Sequence, residues 1–219
     1  MASSSARAEC TNPECNFRFP LPSNLRKSID FCPKCKSPIR VQEQADSDKE
    51  MNLRIEKNNR PPLYVLLDNI RSTYNVGSIF RSADGAGVDK IYVCGVSPSP
   101  DHPRIAKTAL GAEYSVDWEY CPNALVTAKM LSERGCILSA LEVGSGAVPV
   151  FNADFPVLNK TNVLVIGNEI SGIDSEILPL CSYKLWIPMA GYKRSLNVAC
   201  AFSIAVYILQ YSLKPVQRI

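Results

Sequence analysis

The sequence predicts an α/β domain with a parallel sheet, preceded by a small module that a metal ion holds together. Two observations carry this prediction. Short apolar runs alternate with segments of helical periodicity from residue 63 onward, and paired cysteines occupy the first 35 residues. A chain of 219 residues is long enough for one domain of ordinary size plus such a module.

The N-terminal module is defined by two cysteine pairs, Cys10 with Cys15 and Cys32 with Cys35. The second pair has the C-x2-C spacing that lets two thiolates meet one tetrahedral ion, and sixteen residues separate the pairs, as in ribbon-type zinc sites. The segment also has too few large apolar residues to fold without such a link. The sequence therefore predicts a structural zinc ion with four protein ligands; the alternative is four unrelated thiols.

Positive charge is concentrated in the same module. Residues 1–40 carry seven Lys and Arg against three Asp and Glu, whereas the remaining residues carry 17 against 18. Basic residues beside aromatic ones suit RNA binding by phosphate contact and stacking, so residues 1–40 are a candidate RNA-binding module. The alternative is that Phe17, Phe19 and Phe31 fill the core of the module. The exposed candidates are Phe17, Arg18, Phe19, Arg26, Lys27, Lys34, Lys36 and Arg40.

The start of the chain, MASSSARAEC, lacks the apolar run of a secretion signal. A disulfide framework is therefore not expected, and the other five cysteines are interpreted as small buried hydrophobes. No apolar run reaches the ~18 residues of a membrane span, so we expect no membrane partner. We expect a cytoplasmic or nuclear protein, and the Ser- and Ala-rich, basic start leaves an organellar location open.

Residues 41–60 are charged and end at Pro61 and Pro62, which predicts a linker before a domain at 61–219. The first strand of that domain, LYVLLD at 63–68, lacks polar alternation, as expected for a strand covered on both faces. The further predicted strands are KIYVCGV, CILSALEV, NVLVIG and KLWIP, and the predicted helices are GSIFRSADGAG, NALVTAKMLSERG and residues 196–212.

The loops after these strands form the candidate site, because ligands of parallel sheets bind beyond the carboxyl ends of the strands. No G-x-G-x-x-G follows a strand and the chain contains no P-loop, which argues against a dinucleotide or P-loop site. His102 is the only histidine, so no Ser-His-Asp triad and no His-based metal hydrolase can be assembled without it.

Three of these loops, taken in order, resemble the SpoU (TrmH) branch of the SPOUT family, RNA ribose 2′-O-methyltransferases that use S-adenosylmethionine. The match covers roughly residues 62–212. The residues that carry it are Asn69, Ile70, Arg71, Asn75, Val76, Gly77 and Arg81 after the first strand, Gly167, Asn168, Glu169 and Gly172 after NVLVIG, and Ile187, Pro188, Met189, Gly191, Ser195, Leu196, Asn197 and Val198 after KLWIP.

The resemblance implies methylation of a ribose 2′-hydroxyl in structured tRNA or rRNA, a deep trefoil knot at the C-terminal end of the sheet, and a homodimer. It also implies roles for individual residues of this chain. The implied catalytic residues are Arg81, Asn75, Glu169, Ser195 and Asn197, and the implied contacts of S-adenosylmethionine are Leu141, Gly144, Gly167, Asn168, Ile187, Met189 and Leu196.

Several roles stay open at this point. Arg81 normally remains protonated, so it either acts with help from an RNA phosphate or orients the hydroxyl. Glu169 could instead be a carboxylate at the start of a helix, and Ser195 and Asn197 could cap the final helix. Larger family members carry other N-terminal domains, so the substrate is not carried over. The alternatives for the whole chain are a catalytically silent, knotted RNA-binding dimer and a SPOUT methyltransferase that acts on a base.

Overall fold

The computed structural model describes residues 6–26, 28–43, 61–152 and 160–211. It divides the chain into two compact units, Met1–Glu56 and Lys57–Ile219. Residues 44–60 of the expected linker, Lys27 and the residues after 211 lie outside the described residues. Within the described ranges, no helix is long and apolar enough to cross a membrane.

The first unit is a three-stranded antiparallel sheet. Its strands are β1 (Ala6–Cys10), β2 (Arg18–Leu21) and β3 (Ile39–Glu43), in the order β2-β1-β3. Its buried core consists of Ala6, Ala8 and Leu21, and Phe19 packs against it. Phe31 is 58% exposed, so the alternative that all three phenylalanines fill this core is wrong for Phe31.

The second unit is a seven-stranded sheet in which every pairing between neighbouring strands is parallel. The strand order is β6-β5-β4-β9-β7-β10-β8. The predicted parallel α/β architecture is therefore confirmed. The strands are β4 (Leu63–Asp68), β5 (Lys90–Cys94), β6 (Asp117–Cys121), β7 (Ile137–Leu141), β8 (Val148–Pro149), β9 (Asn162–Ile166) and β10 (Tyr183–Trp186), and the helices are α1 (Thr73–Ala86), α2 (Ala106–Ala109), α3 (Ala124–Glu133) and α4 (Val198–Tyr211).

Helices cover both faces of this sheet. Val65 and Leu67 of β4 belong to a core with α1 and α4, whereas Leu66 belongs to a second core with α3. This separation follows from the alternation of side chains along a strand. The central strands are consequently apolar on both faces, which explains the unbroken apolar runs in the sequence.

The sequence did not predict β6. Its residues, DWEYC, are mostly exposed or half-buried because β6 lies at an edge of the sheet, so they form no apolar run. The final helix begins at Val198 rather than at residue 196. The trefoil knot stays a prediction.

Candidate active site and metal centre

A cavity of about 400 Å³ lies at the carboxyl ends of β7, β9 and β10. These three strands are neighbours in the sheet, so the loops that follow them converge at one edge. Its lining includes nine of the twelve residues to which the resemblance gives a catalytic or cofactor-binding role, namely Leu141, Gly167, Asn168, Glu169, Ile187, Met189, Ser195, Leu196 and Asn197.

Gly144, Asn75 and Arg81 are not among the described residues that line this cavity. Gly144 is exposed, in the loop after β7. Asn75 is joined to the cavity by hydrogen bonds, as described below. The structure therefore brings together most of the predicted site, but not all of it.

Gly167 and Asn168 fix the shape of the loop after β9. A Cβ atom at Gly167 would overlap the backbone of Gly172 and Ile173, so only glycine allows this close approach. The Asn168 side chain donates to the carbonyl of Asn69 at 2.6 Å and accepts from the amide of Ile170 at 2.9 Å. Its polar atoms thus hold the loops after β4 and β9 together, which is a positioning task that the resemblance did not suggest.

Glu169 lies at the N-terminus of α1. Its carboxylate accepts hydrogen bonds from the amides of Arg71 (2.9 Å) and Ser72 (3.2 Å) and from the Asn75 side chain (2.8 Å). Burial by itself would raise the pKa of Glu169, but these hydrogen bonds outweigh it, and its pKa is lowered. Glu169 is thus held as an anion at the positive end of the helix.

Asn75 and Asn197 continue this arrangement toward α4. The Asn197 amide nitrogen donates to Asn75 Oδ1 at 3.0 Å, while Asn197 Oδ1 accepts from the amide of Ala199 at 2.9 Å. Asn197 is therefore both the cap of α4 and a member of a hydrogen-bonded chain that runs from Glu169 through Asn75. Capping and site formation, which were alternatives for Asn197 in the sequence, coexist in the structure. Ser195 is exposed at the cavity and does not cap α4.

Arg81 is exposed in the middle of α1. Within the described part of the chain its side chain has no hydrogen-bond or ion-pair partner, and it does not line the cavity. The basic residue that does line the cavity is Arg194, in the loop before α4. Arg81 therefore does not form part of the cavity of a single chain, and its catalytic role stays a prediction.

Two charged residues that line the cavity, Glu142 and Arg194, were not predicted as site residues. Glu142 follows β7 directly, and its carboxylate accepts from the amides of Val143 (3.2 Å) and Ile173 (3.1 Å). A half-buried acid immediately after a parallel strand is the signal that could have identified it. Arg194 belongs to a pair of basic residues before α4. No motif in the sequence indicates a role for this pair.

The four cysteines of the first unit also converge. The sulfur atoms of Cys10, Cys15, Cys32 and Cys35 all lie within 4.8 Å of one another. Cys10 and Cys35 approach to 3.4 Å, and Cys15 and Cys32 to 3.8 Å. Four sulfurs around a tetrahedral zinc ion, each at about 2.3 Å, would be separated by about 3.8 Å. The four thiols therefore fit such an ion.

Similar backbone turns shape both halves of this thiol cluster. Asn16, after Cys15, and Lys36, after Cys35, both have left-handed backbone conformations, with φ of 48° and 63°. The Lys36 amide donates to the carbonyl of Cys32 at 2.9 Å. These turns bring the two thiols of each pair to the same point, so the predicted ligand set is assembled by the fold.

A parallel α/β sheet with a polar cavity at the carboxyl edge defines a protein that binds a small ligand at that edge. The chain belongs to the SpoU rRNA Methylase family, whose model matches residues 62–207. The family expected from the three loops is confirmed, and the cysteine module lies before the matched region.

Named relatives support the same assignment. The chain is 33% identical over 149 residues to the 23S rRNA (uridine(2479)-2′-O)-methyltransferase of Streptomyces viridochromogenes, across 66% of this chain and 51% of that protein. It is 26% identical over 170 residues to the tRNA (guanosine(18)-2′-O)-methyltransferase of Thermus thermophilus, across 78% of this chain and 85% of that protein. The match thus spans about half the length of the first relative.

A solved structure of the same family resembles the chain. The SpoU methyltransferase AviRb of Streptomyces viridochromogenes, in complex with AdoMet, matches with a TM-score of 0.61 and 28% identity, covering 80% of this chain and 68% of that one. The likeness therefore extends to a protein that binds the expected cofactor.

Proposed function

We propose that this chain methylates a ribose 2′-hydroxyl in structured RNA, either a tRNA or an rRNA, with S-adenosylmethionine as the methyl donor. The observation that carries the proposal is the cavity at the carboxyl ends of β7, β9 and β10, bordered by the hydrogen-bonded chain Glu169–Asn75–Asn197. The names of the relatives, which act on both RNA classes, agree with it.

The cavity has the properties that a nucleoside-sized cofactor requires. Its volume of about 400 Å³ lies in the usual range of ligand pockets, roughly 300–1,000 Å³. Leu141, Ile187 and Leu196 offer apolar surface for an adenine ring, and the loop backbones offer polar groups. When bound there, S-adenosylmethionine supplies a methyl group on a positively charged sulfur.

The residues of this chain would orient the ribose rather than remove its proton. The carboxylate of Glu169 already accepts three hydrogen bonds and has a lowered pKa, so it is a weak base. Asn75 and Asn197 hold each other in place by a hydrogen bond and have no basic group. Ser195 exposes its hydroxyl at the cavity and is the group that would contact the incoming nucleotide.

Arg81 completes this site from a second copy of the chain. It is exposed and does not line the cavity of its own chain, which suits a role at the cavity of a neighbouring copy. As a protonated guanidinium it would bind an RNA phosphate or the ribose oxygen, stabilising the charge that develops as the hydroxyl passes its proton to that phosphate or to water.

The exposed surface beside Arg81 suits such a homodimer. Tyr74 and Tyr207 are 53% and 44% exposed, and Tyr207 of α4 lies against Gly85 of α1. Tyr207 also stacks on Tyr211, with ring centroids 5.5 Å apart. Exposed aromatic residues on packed helices are typical of protein interfaces.

Tritiated S-adenosylmethionine incubated with the protein and separate pools of tRNA and rRNA tests the proposal. We expect label in one pool, and in an alkali-resistant dinucleotide, because alkaline cleavage needs a free 2′-hydroxyl. Gly167→Ala is the control, since its added Cβ disrupts the cavity. Label released in alkali-sensitive mononucleotides would indicate a base methyltransferase, and no label in either pool would indicate a silent RNA-binding protein.

The homodimer has its own test. An equal mixture of Arg81→Ala and Gly167→Ala proteins, each inactive alone, should recover activity, because mixed dimers contain one intact cavity with one intact Arg81. Sedimentation should show twice the mass of the 24.1 kDa chain. A monomer with full activity would contradict the proposed placement of Arg81.

A further inference from the structure

One face of the small sheet in the first unit is lined with arginines. Residues directly opposite each other in an antiparallel sheet share a face. Glu9 of β1 lies opposite Arg18 of β2 and Arg40 of β3, and Arg7 lies opposite Pro20 and Gln42. We call this surface the arginine face; its residues are Arg7, Glu9, Arg18, Pro20, Arg40 and Gln42.

The three arginines of this face are exposed. Among the described residues, the side chains of Arg7 and Arg40 have no hydrogen-bond or ion-pair partner. Arg18 donates to Gln42 at 3.2 Å and lies 3.9 Å from the Glu9 carboxylate. Ion pairs between side chains as exposed as these are weak, so Arg18 remains available to a ligand.

Two aromatic residues of the unit, Phe17 and Phe19, belong to the other side of the sheet. Phe19 lies opposite Ala8 and packs on the small core, and Phe17 stacks on Phe19 with ring centroids 5.5 Å apart. The six residues of the arginine face therefore include three cations and no aromatic side chain. Such a surface recognises phosphate groups rather than bases, because guanidinium groups pair with phosphate oxygens in a bidentate manner.

We propose that the arginine face is an RNA-binding surface that contacts the phosphate backbone through Arg7, Arg18 and Arg40. Charge complementarity selects the partner: residues 1–40 carry seven basic and three acidic residues, against 17 and 18 in the rest of the chain. Zinc with four thiolates would remove two of the four net positive charges of residues 1–40, which leaves this segment with a net charge of +2. The choice of RNA as the polyanion rests on the proposed function.

The test is a triple variant of the full-length protein, Arg7→Gln/Arg18→Gln/Arg40→Gln, titrated into fluorescein-labelled unfractionated tRNA without S-adenosylmethionine. Each phosphate contact contributes about 0.7–0.9 to the slope of log Kd against log salt. Loss of three contacts should therefore lower the slope by roughly 2 to 3 and weaken binding about 100-fold at ~0.1 M salt.

The matched control is Lys129→Gln/Arg134→Gln/Lys160→Gln, which removes the same charge from exposed positions of the second unit. We expect it to change tRNA affinity less than about threefold, since these residues lie outside the arginine face. Equal losses in both variants would mean that only net charge matters, and would overturn the proposal. So would an arginine variant with unchanged affinity.

Two further measurements distinguish a loss of folding of the first unit from a loss of RNA binding. Zinc content per chain reports whether the triple arginine variant keeps its fold. If the zinc content falls, the single variant Arg40→Gln replaces it in the titration, with an expected loss of tRNA affinity of about fivefold. Because the titration needs no methyl transfer, an inactive protein can still support the proposal. Conversely, an active enzyme whose tRNA affinity ignores the arginine face would refute it and leave the proposed function standing.

Discussion

Among the described residues, the buried hydrophobic core of the first unit consists of Ala6, Ala8 and Leu21, whereas the second unit buries side chains as large as Phe80 and Phe202. In the first unit four converging thiols take the place of a large core, and in the second two apolar layers cover the sheet. The two units should therefore respond to different perturbations. Metal loss should unfold the first, and a cavity in the core should destabilise the second.

The largest effect is expected from Cys32→Ser/Cys35→Ser. A structural zinc ion contributes about 10–16 kcal/mol to such modules, more than a core of this size can replace. Zinc should fall from one ion per chain to none, and proteolysis should cut within residues 6–43 while S-adenosylmethionine affinity is retained. Cys136→Ser, in the second unit, is the control and should keep its zinc. Full zinc content in the double variant would refute the metal site.

The second-largest effect is expected from a cavity in the core of the second unit. Phe202 is fully buried in the core that β4 and α1 share, so Phe202→Ala should lower the free energy of unfolding by about 3–5 kcal/mol. Val126→Ala, at a 61% exposed position of α3, should change it by less than about 0.5 kcal/mol. Guanidinium unfolding followed by circular dichroism measures both. Zinc content should stay unchanged, and its loss in Phe202→Ala would show that the units are not independent.

The smallest effect is a pH dependence at Glu169. Because its pKa in the folded chain is below the ordinary value of 4.5, its hydrogen bonds stabilise the fold above pH 4.5 and lose this effect as the pH falls through the folded pKa. Glu169→Gln should therefore destabilise the second unit by less than about 1 kcal/mol at pH 7. The difference from the unmutated protein should vanish at strongly acidic pH. A difference that persists there would exclude the carboxylate charge as its cause.

The sequence predicted the parts of the molecule that depend on local pattern. The strands from Leu63 to Trp186 that lie inside the sheet are apolar runs, and the thiol cluster follows from cysteine spacing. β6 was missed because its residues, at an edge of the sheet, are mostly exposed or half-buried and form no apolar run. Arg18 and Arg40 were predicted as exposed RNA-binding candidates, but Arg7 was not, because the face that they share depends on the register of three strands.

The site was predicted less completely than the fold. The resemblance identified Asn75, Glu169 and Asn197, but the hydrogen bonds between them depend on how the loops after β4, β9 and β10 meet. The resemblance also assigned Arg81 to the catalytic site, but Arg81 does not line the cavity of a single chain. A motif indicates which residues serve a function, whereas their positions depend on packing. For Arg81, the position relative to the cavity also depends on the second copy of the chain that we propose.

The most direct test of the proposed chemistry is the single-turnover rate of methyl transfer by Arg81→Ala at saturating RNA. If Arg81 stabilises the reacting hydroxyl, the rate should fall by about 10²–10⁴-fold while S-adenosylmethionine affinity is unchanged. Arg134→Ala, an exposed arginine at the end of α3, is the matched control and should keep the full rate. An Arg81→Ala protein with the unmutated rate would contradict the proposed site.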